Sequence, residues 1–191
     1  MRFNFITLFI SLATISGFAQ EKESEKINMP FDEETKKYTY NEVIEVPGVS
    51  AEQMYKLAKD WCKKKYTDDN FSIDEVNVEL ADIGSFPLTT TLGKGLSRIV
   101  LTQTILYNAI FSFKEGRCRF QITNIKMSQT SAGTTEERTM EAYYKIVQDA
   151  GIGATRRARA TLFNEIDSKM KEIIVEVKNA LQHGPKKSDW E

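Results

Sequence analysis

The chain contains one histidine, His183. A nucleophilic triad or a histidine metal centre needs partners at set spacing, and none surrounds it. His183 closes a helical run just before Gly184, where an imidazole meets the negative end of the helix dipole. Glu75 and Glu79 fall on one face of a strand-like run. Two carboxylates so placed could act as general acid and base. A solvated strand face is the simpler reading. No catalytic residue, metal ligand or cofactor site is assigned, and no enzymatic activity is expected.

Three glycine-bearing stretches could cradle an anion. Pro47-Gly48-Val49-Ser50 leads into a helix-like run, whose N-terminus attracts negative charge. Ser50 is already a good N-cap, so this reads as a structural corner. "LGKGLS" at 92–97 resembles a phosphate loop superficially. That motif needs four residues before Gly-Lys-Ser/Thr, and a helix after it; here Gly95 follows Lys94 in a strand context. "GIGATR" at 151–156 has two glycines of the dinucleotide pattern, but Arg156 replaces the third and no parallel strand precedes it. It reads as a loop leading into a helix.

Arg156, Arg157 and Arg159 cluster where a helix dipole disfavours cations. Either they face an anionic partner or the helix begins nearer Leu162; the second is preferred. Asn70-Phe71-Ser72 is a formal glycosylation sequon, read as coincidence. Cys62 and Cys118 each lie on the apolar side of their own element and are expected in the layer between helix and sheet. An oxidising compartment permits a disulfide, closing a loop of about 56 residues worth roughly 4 kcal/mol. Free cysteines are equally ordinary core residues, so the bond stays open.

The compartment is read from the N-terminus. Arg2 precedes a nearly all-apolar run from Phe3 to Ile15, and Gly17-Phe18-Ala19 offers small residues for cleavage. Residues 1–19 therefore read as a signal peptide cut near Ala19. The run is short for a membrane span. No cysteine follows the cut, so no lipid anchor is expected. The product would be periplasmic or secreted, with no transmembrane anchor in the mature form. The formal net charge of −1 gives no global field to gather nucleic acid. Residues 20–36 are charged and read as a flexible lead-in; 183–191 read as a tail after Gly184-Pro185.

Between these ends one domain, 37–182, is expected. Tyr40, Ile44 and Val46 share one face of a strand over Tyr38–Val46. Ser50 and Gln53 form a capping box, and Met54, Leu57, Ala58, Trp61 and Cys62 make the stripe of the following helix. Asp68-Asp69-Asn70 is a turn, and Ser72–Leu80 reads as a strand with Val76, Val78 and Leu80 inward. From Ile83 to Leu101 the pattern is hard to read; Gly93 and Gly95 point to bends or a bulge.

Thr102–Ile125 is a hairpin about Glu115-Gly116. Its register pairs Phe113 with Cys118, Phe111 with Phe120 and Ala109 with Ile122. The other face pairs Ser112 with Arg119, Ile110 with Gln121 and Asn108 with Thr123. A slip of one residue would mix apolar and polar faces, so the register is specified. Residues 127–153 read as a polar insertion with a short helix near Glu136–Ile146. Thr155–Gln182 is a long helix of about 40 Å, with Leu162, Phe163, Ile166, Met170, Ile173, Ile174, Val177 and Leu181 in one stripe and favourable pairs Glu165–Lys169 and Asp167–Lys171. Two helices on one face of an antiparallel sheet make an α+β two-layer domain in β-α-β-β-β-β-α order.

The run from Tyr40 to Trp61, "YNEVIEVPGVSAEQMYKLAKDW", resembles the start of the exported family called domain of unknown function 4468, which has a TBP-like fold. Phe18-Ala19-Gln20, Gly93-Lys94-Gly95 and "FKEGRCRFQITNI" strengthen the resemblance, which covers about residues 30–182 and is poor over 127–153. It implies a strand-helix-four-strand-helix domain and no activity.

The expected working surface is the sheet face away from the helices, carrying Thr104, Asn108, Ser112, Arg117, Arg119, Gln121 and Thr123. It reads either as a recognition surface for an unknown protein, peptide or glycan of the cell envelope, or as an ordinary wet sheet face. The alternative is a carrier of a small molecule or lipid in a pocket between the long helix and the sheet. Trp61, Phe111, Phe120 and Phe163 argue for a filled core there. The TATA-binding protein grips DNA through such a face, but fold alone is not function.

Overall fold

The structure is a computed structural model and describes residues 26–66, 72–74, 79–92, 99–131, 133–149 and 153–183. The elements are β1 (Phe31–Asp32), β2 (Lys37–Tyr38), β3 (Tyr40–Glu45), α1 (Ala51–Lys65), β4 (Ser72–Asp74), β5 (Glu79–Leu92), β6 (Ile99–Lys114), β7 (Arg117–Ser131), β8 (Thr134–Thr139), α2 (Met140–Asp149) and α3 (Gly153–His183). The main sheet is antiparallel, in the order β3-β7-β6-β5-β4. β3 runs beside the first half of β7, and β8 runs beside its second half. The helices gather on one face, with α1 and α3 packed on each other and on the strands.

The hairpin has the register that its alternating residues demand. Phe113 pairs with Cys118, Phe111 with Phe120 and Ala109 with Ile122; Ser112 pairs with Arg119, Ile110 with Gln121 and Asn108 with Thr123. Beyond Asn108 the register shifts: Leu106 faces Lys126, so β7 carries one extra residue. Asn124 takes it up with φ 52°, a left-handed conformation that asparagine tolerates better than most residues. The bulge keeps Ile122, Ile125 and Met127 all on the helix side, where all three are buried.

The corner after β3 is stapled to the hairpin tip. Gly48 turns the chain at φ 79°. Val46 N donates to Gly116 O at 2.8 Å, and Gly116 N to Val49 O at 3.1 Å. Ser50 and Gln53 form the full capping box. Ala51 N donates to Glu115 Oε1 at 3.3 Å, so the chain's own carboxylate takes the helix N-terminus.

The stripe of α3 is buried at Leu162, Phe163, Ile166, Met170, Ile173, Val177 and Leu181; Ile174 is partly buried. Of the two expected ion pairs on this helix, Lys171 does pair with Asp167 at 2.7 Å, whereas Lys169 reaches Glu172. Tyr40 OH donates to the other oxygen of Asp167 at 2.9 Å, tying α3 to β3.

Several expectations are corrected. The segment 127–153, expected as a polar insertion, is built into the fold: β7 continues to Ser131, β8 pairs with it and α2 follows. Met140 is fully buried, and Tyr143 and Tyr144 pack on Phe163. The short helix expected near Glu136–Ile146 is therefore α2, Met140–Asp149, and it packs on the core with the other two. The lead-in is anchored from Lys26 onward: Asn164 of α3 donates to Lys26 O and accepts from Asn28 N, both at 2.9 Å, and Met29 is buried. Ser72–Leu80 is not one strand, since Asp74 and Glu79 are antiparallel partners. Val76, Val78, Glu75, the Asp68-Asp69-Asn70 turn and the Asn70-Phe71 part of the sequon lie outside the described residues, as do Gly93 and Gly95. α3 starts at Gly153, not near Leu162, and Arg159 is buried over the Tyr144 ring at 5.7 Å.

No disulfide joins Cys62 and Cys118, and both are fully buried. Burial pushes the Cys118 thiol up to about 12, against a weaker opposing hydrogen bond with the Ser112 backbone. The thiolate is the reactive species. Two thiols should therefore react slowly with a disulfide reagent in the native protein and promptly in denaturant. A count of none in denaturant would mean a disulfide.

Candidate functional site

The face away from the helices is built by strand parity. On β6 the residues at even positions point there, and on β7 up to the bulge those at odd positions do, since Phe111, Phe113, Cys118, Phe120 and Ile122 are buried on the opposite side. Each expected site residue lies on this face. Arg117 and Arg119 are exposed; Ser112, Asn108 and Gln121 are partly buried; Thr104 is exposed.

They do not form one cluster. Thr104 lies beyond the bulge, opposite Ser128, and about 27 Å along β6 from Ser112 at the usual strand rise. Asn108 and Gln121 occupy the middle. Ser112, Arg117 and Arg119 come together at the hairpin end, with Lys114 directly opposite Arg117 and Val43 directly opposite Arg119. These five residues line one concavity of about 210 Å³. Arg119 donates from its guanidinium to Ser112 Oγ at 3.4 Å. Among the described residues no carboxylate pairs with Lys114, Arg117 or Arg119. Glu45 faces Arg117 across β3 and β7 and is exposed.

Two features of this site escaped sequence reasoning. Lys114 was legible, because the hairpin register already placed it across from Arg117. Val43 was not, because nothing local says that β3 lies beside β7. The face is also less polar than expected. Val43, Ile83 and Val100 are exposed at 55%, 60% and 53%, and each projects onto it. Its character is therefore a cationic notch at one end, apolar side chains along the sheet, and threonines such as Thr89 and Thr102 at the other.

Two other concavities compare poorly. One of about 510 Å³ lies among Ile27, Met29, Phe31, Tyr38, Tyr144 and Glu141, but the Glu141 carboxylate already accepts the Tyr38 amide at 2.8 Å. The other, of about 340 Å³, lies between α3 and β5, where the carrier alternative would place its cargo. Its rim carries Lys65, Lys169, Glu172 and Glu176, with Lys65 and Glu176 paired at 2.7 Å. Its wall includes the Tyr107 ring, which lies so close to Gly84 that a Cβ there would come within 2.2 Å of it. The core beneath is filled, with Phe111 against Phe120 at 4.6 Å between centroids. Among the described residues, no three of His, Cys, Asp and Glu lie together as a metal would need.

Residues 40–128 match the family described as "Domain of unknown function (DUF4468) with TBP-like fold". A TBP-like protein from Parabacteroides distasonis superposes with a TM-score of 0.57 at 14% identity, covering 81% of this chain and 97% of its own. A DUF4468 family protein from Bacteroides ovatus gives a TM-score of 0.51 at 15% identity, covering 87% and 98%. At that identity these neighbours support the TBP-like fold and nothing finer. No curated protein matches the chain.

Proposed function

We propose that this chain, whose residues 40–128 carry the DUF4468 domain with its TBP-like fold, is a non-enzymatic recognition module of the cell envelope that binds through its open sheet face. The observation that carries the reading is the convergence of Lys114, Arg117 and Arg119 on one notch, three cations with no ion pair among the described residues and one neighbouring carboxylate, Glu45, opposite Arg117. Charge-assisted contacts from such a notch favour an acidic partner. Export rests on the N-terminal pattern ending at Ala19. Among the described residues no helix is long and apolar enough to cross a membrane. A nucleic-acid partner is not proposed: three cations on a chain of net charge −1 are few beside the phosphate contacts of a duplex reader.

The test compares the wild-type chain with the double variant Arg117→Ser/Arg119→Ser and with Lys56→Ser, a charge change on exposed α1. All three should melt alike. In capture from native envelope, specific partners should be retained by wild type and Lys56→Ser and lost from the double variant. Equal yield from all three would exclude the face as the binding surface.

A further inference from the structure

The cationic notch opens beside the outer edge of β3, and Val43 belongs to both. The hydrogen-bond phase of that edge is set by the corner. Val46 N bonds Gly116 O at 2.8 Å, half of what a hydrogen-bonded antiparallel pair exchanges, since Gly116 N goes to Val49 O; the bond sets which residues of the strand face β7. Such pairs alternate. Ile44, Glu42 and Tyr40 therefore bond toward β7, while the backbone groups of Asn41, Val43 and Glu45 point away from the sheet. The contact of Gln182 Nε2 with Glu45 O at 3.0 Å agrees with this, because that carbonyl must face outward to meet it. Asn41 and Val43 are exposed, and among the described residues β3 pairs in the main sheet with β7 alone, although Thr39 N just before it already donates outward to Pro30 O at 3.1 Å.

An open edge of this kind offers a row of donors and acceptors to another extended chain. We infer that β3 receives an acidic peptide in extended conformation as an added strand, with its acidic side chains turned onto the open face toward Arg117 and Arg119. The register argument is specific. Arg117 and Arg119 are two residues apart on β7, so their side chains leave one face at the strand period of about 6.8 Å. Acidic residues at alternate positions of an added strand repeat at that same spacing. That strand would lie about 9.6 Å from β7, two inter-strand steps, within combined reach of an arginine and a glutamate. Val43 stands between the added strand and Arg119 and offers an apolar contact, whereas Glu45 stands between that strand and Arg117, so Arg119 is the arginine with a clear path to the peptide's acids. A polysaccharide could meet the cations but has no main chain to match the donors and acceptors of Asn41 and Val43. The inference rests on the open-face reading and adds the partner class.

The test uses three synthetic peptides of equal charge and the full chain. One alternates glutamate with valine. The second holds the same residues in two blocks. The third is the alternating peptide N-methylated on the amides of one edge, made for each edge in turn. The alternating peptide should bind measurably at low salt and weaken as salt rises. The block peptide, one of the two N-methylated forms, and the alternating peptide against Arg117→Gln/Arg119→Gln should each bind about tenfold or more weakly. Equal binding of the block peptide, or of both N-methylated forms, would overturn strand addition. So would polyglucuronate binding with the same arginine dependence while the alternating peptide does not bind. Those results would leave the open-face reading standing. Envelope partners that ignore the arginines would remove both.

Discussion

Deleting residues 155–191 should leave a chain that aggregates and shows no cooperative melt. The long helix supplies Leu162, Phe163, Ile166, Met170, Ile173, Val177 and Leu181 to the core, and every one is buried. Without them the helix side of the sheet, including Tyr40, Ile44 and Ile105, would face water as one large apolar patch. A single truncation gives the scale. Phe163→Ala removes a fully buried ring that packs on Tyr38, Tyr143 and Tyr144, a change that costs about 3–5 kcal/mol. Ordinary domains have roughly 5–15 kcal/mol in total, so losing the whole stripe exceeds what the fold can spare. A soluble truncation with a cooperative thermal transition would refute this, as would a Phe163→Ala protein that melts with wild type.

What could be read from the sequence follows a physical division. The hairpin was legible because parity and turn chemistry agree: Glu115-Gly116 closes it and the apolar partners coincide on one face. The capping box was legible because its two bonds join residues three apart. The strand over Ile83–Leu92 was obscured by Gly84 and Pro87, which ordinarily interrupt strands. Both have tertiary reasons. Gly84 makes room for the Tyr107 ring, which is buried and bonded through its hydroxyl to Tyr66 at 2.7 Å. Pro87 lies beyond the reach of β4, which pairs with β5 from Glu79 to Ala81, so among the described residues no strand on that side needs its missing N–H.

β8 was missed because Thr134–Thr139 is polar and largely exposed, so no alternation marks it. Its ladder to β7 is its main tie to the sheet. Arg159 misled for a related reason. Its guanidinium lies over Tyr144 and reaches the Tyr144 carbonyl at 3.5 Å, a contact across two helices that spacing along one helix does not reveal. Half of the site followed the same rule. Ser112, Lys114, Arg117 and Arg119 belong to one hairpin and were within reach of local reasoning. The open edge at Asn41 and Val43 depends on the strand order.

Raising the pH should destabilise the protein from about pH 9, in two stages that identify the groups responsible. Burial holds the Cys118 thiol up at about 12, while an unfolded cysteine titrates near 8.5. Burial likewise pushes the Tyr38 phenol to about 12 and raises Tyr40 further, helped by its hydrogen bond to the Asp167 carboxylate. Tyr143 is raised too, but it is only half-buried and counts for less. Above each unfolded pKa the unfolded chain releases a proton that the folded chain keeps. Stability therefore holds below that pH and drains away up to the folded value. Each fully buried group contributes a slope of about 1.4 kcal/mol per pH unit at most. Cys118 should act between about pH 9 and 10, with the tyrosines joining from about 10. Urea unfolding at successive pH values would read these slopes. Cys118→Ala should flatten the profile between about pH 9 and 10, since one group that titrates there is gone. Tyr40→Phe should lose about 1–2 kcal/mol at neutral pH, through the Asp167 bond, and flatten the profile above pH 10. Identical pH profiles for wild type and Cys118→Ala would show that the thiol does not set the onset. The same profile with no free thiol in denaturant would mean that Cys118 is oxidised and has no proton to lose.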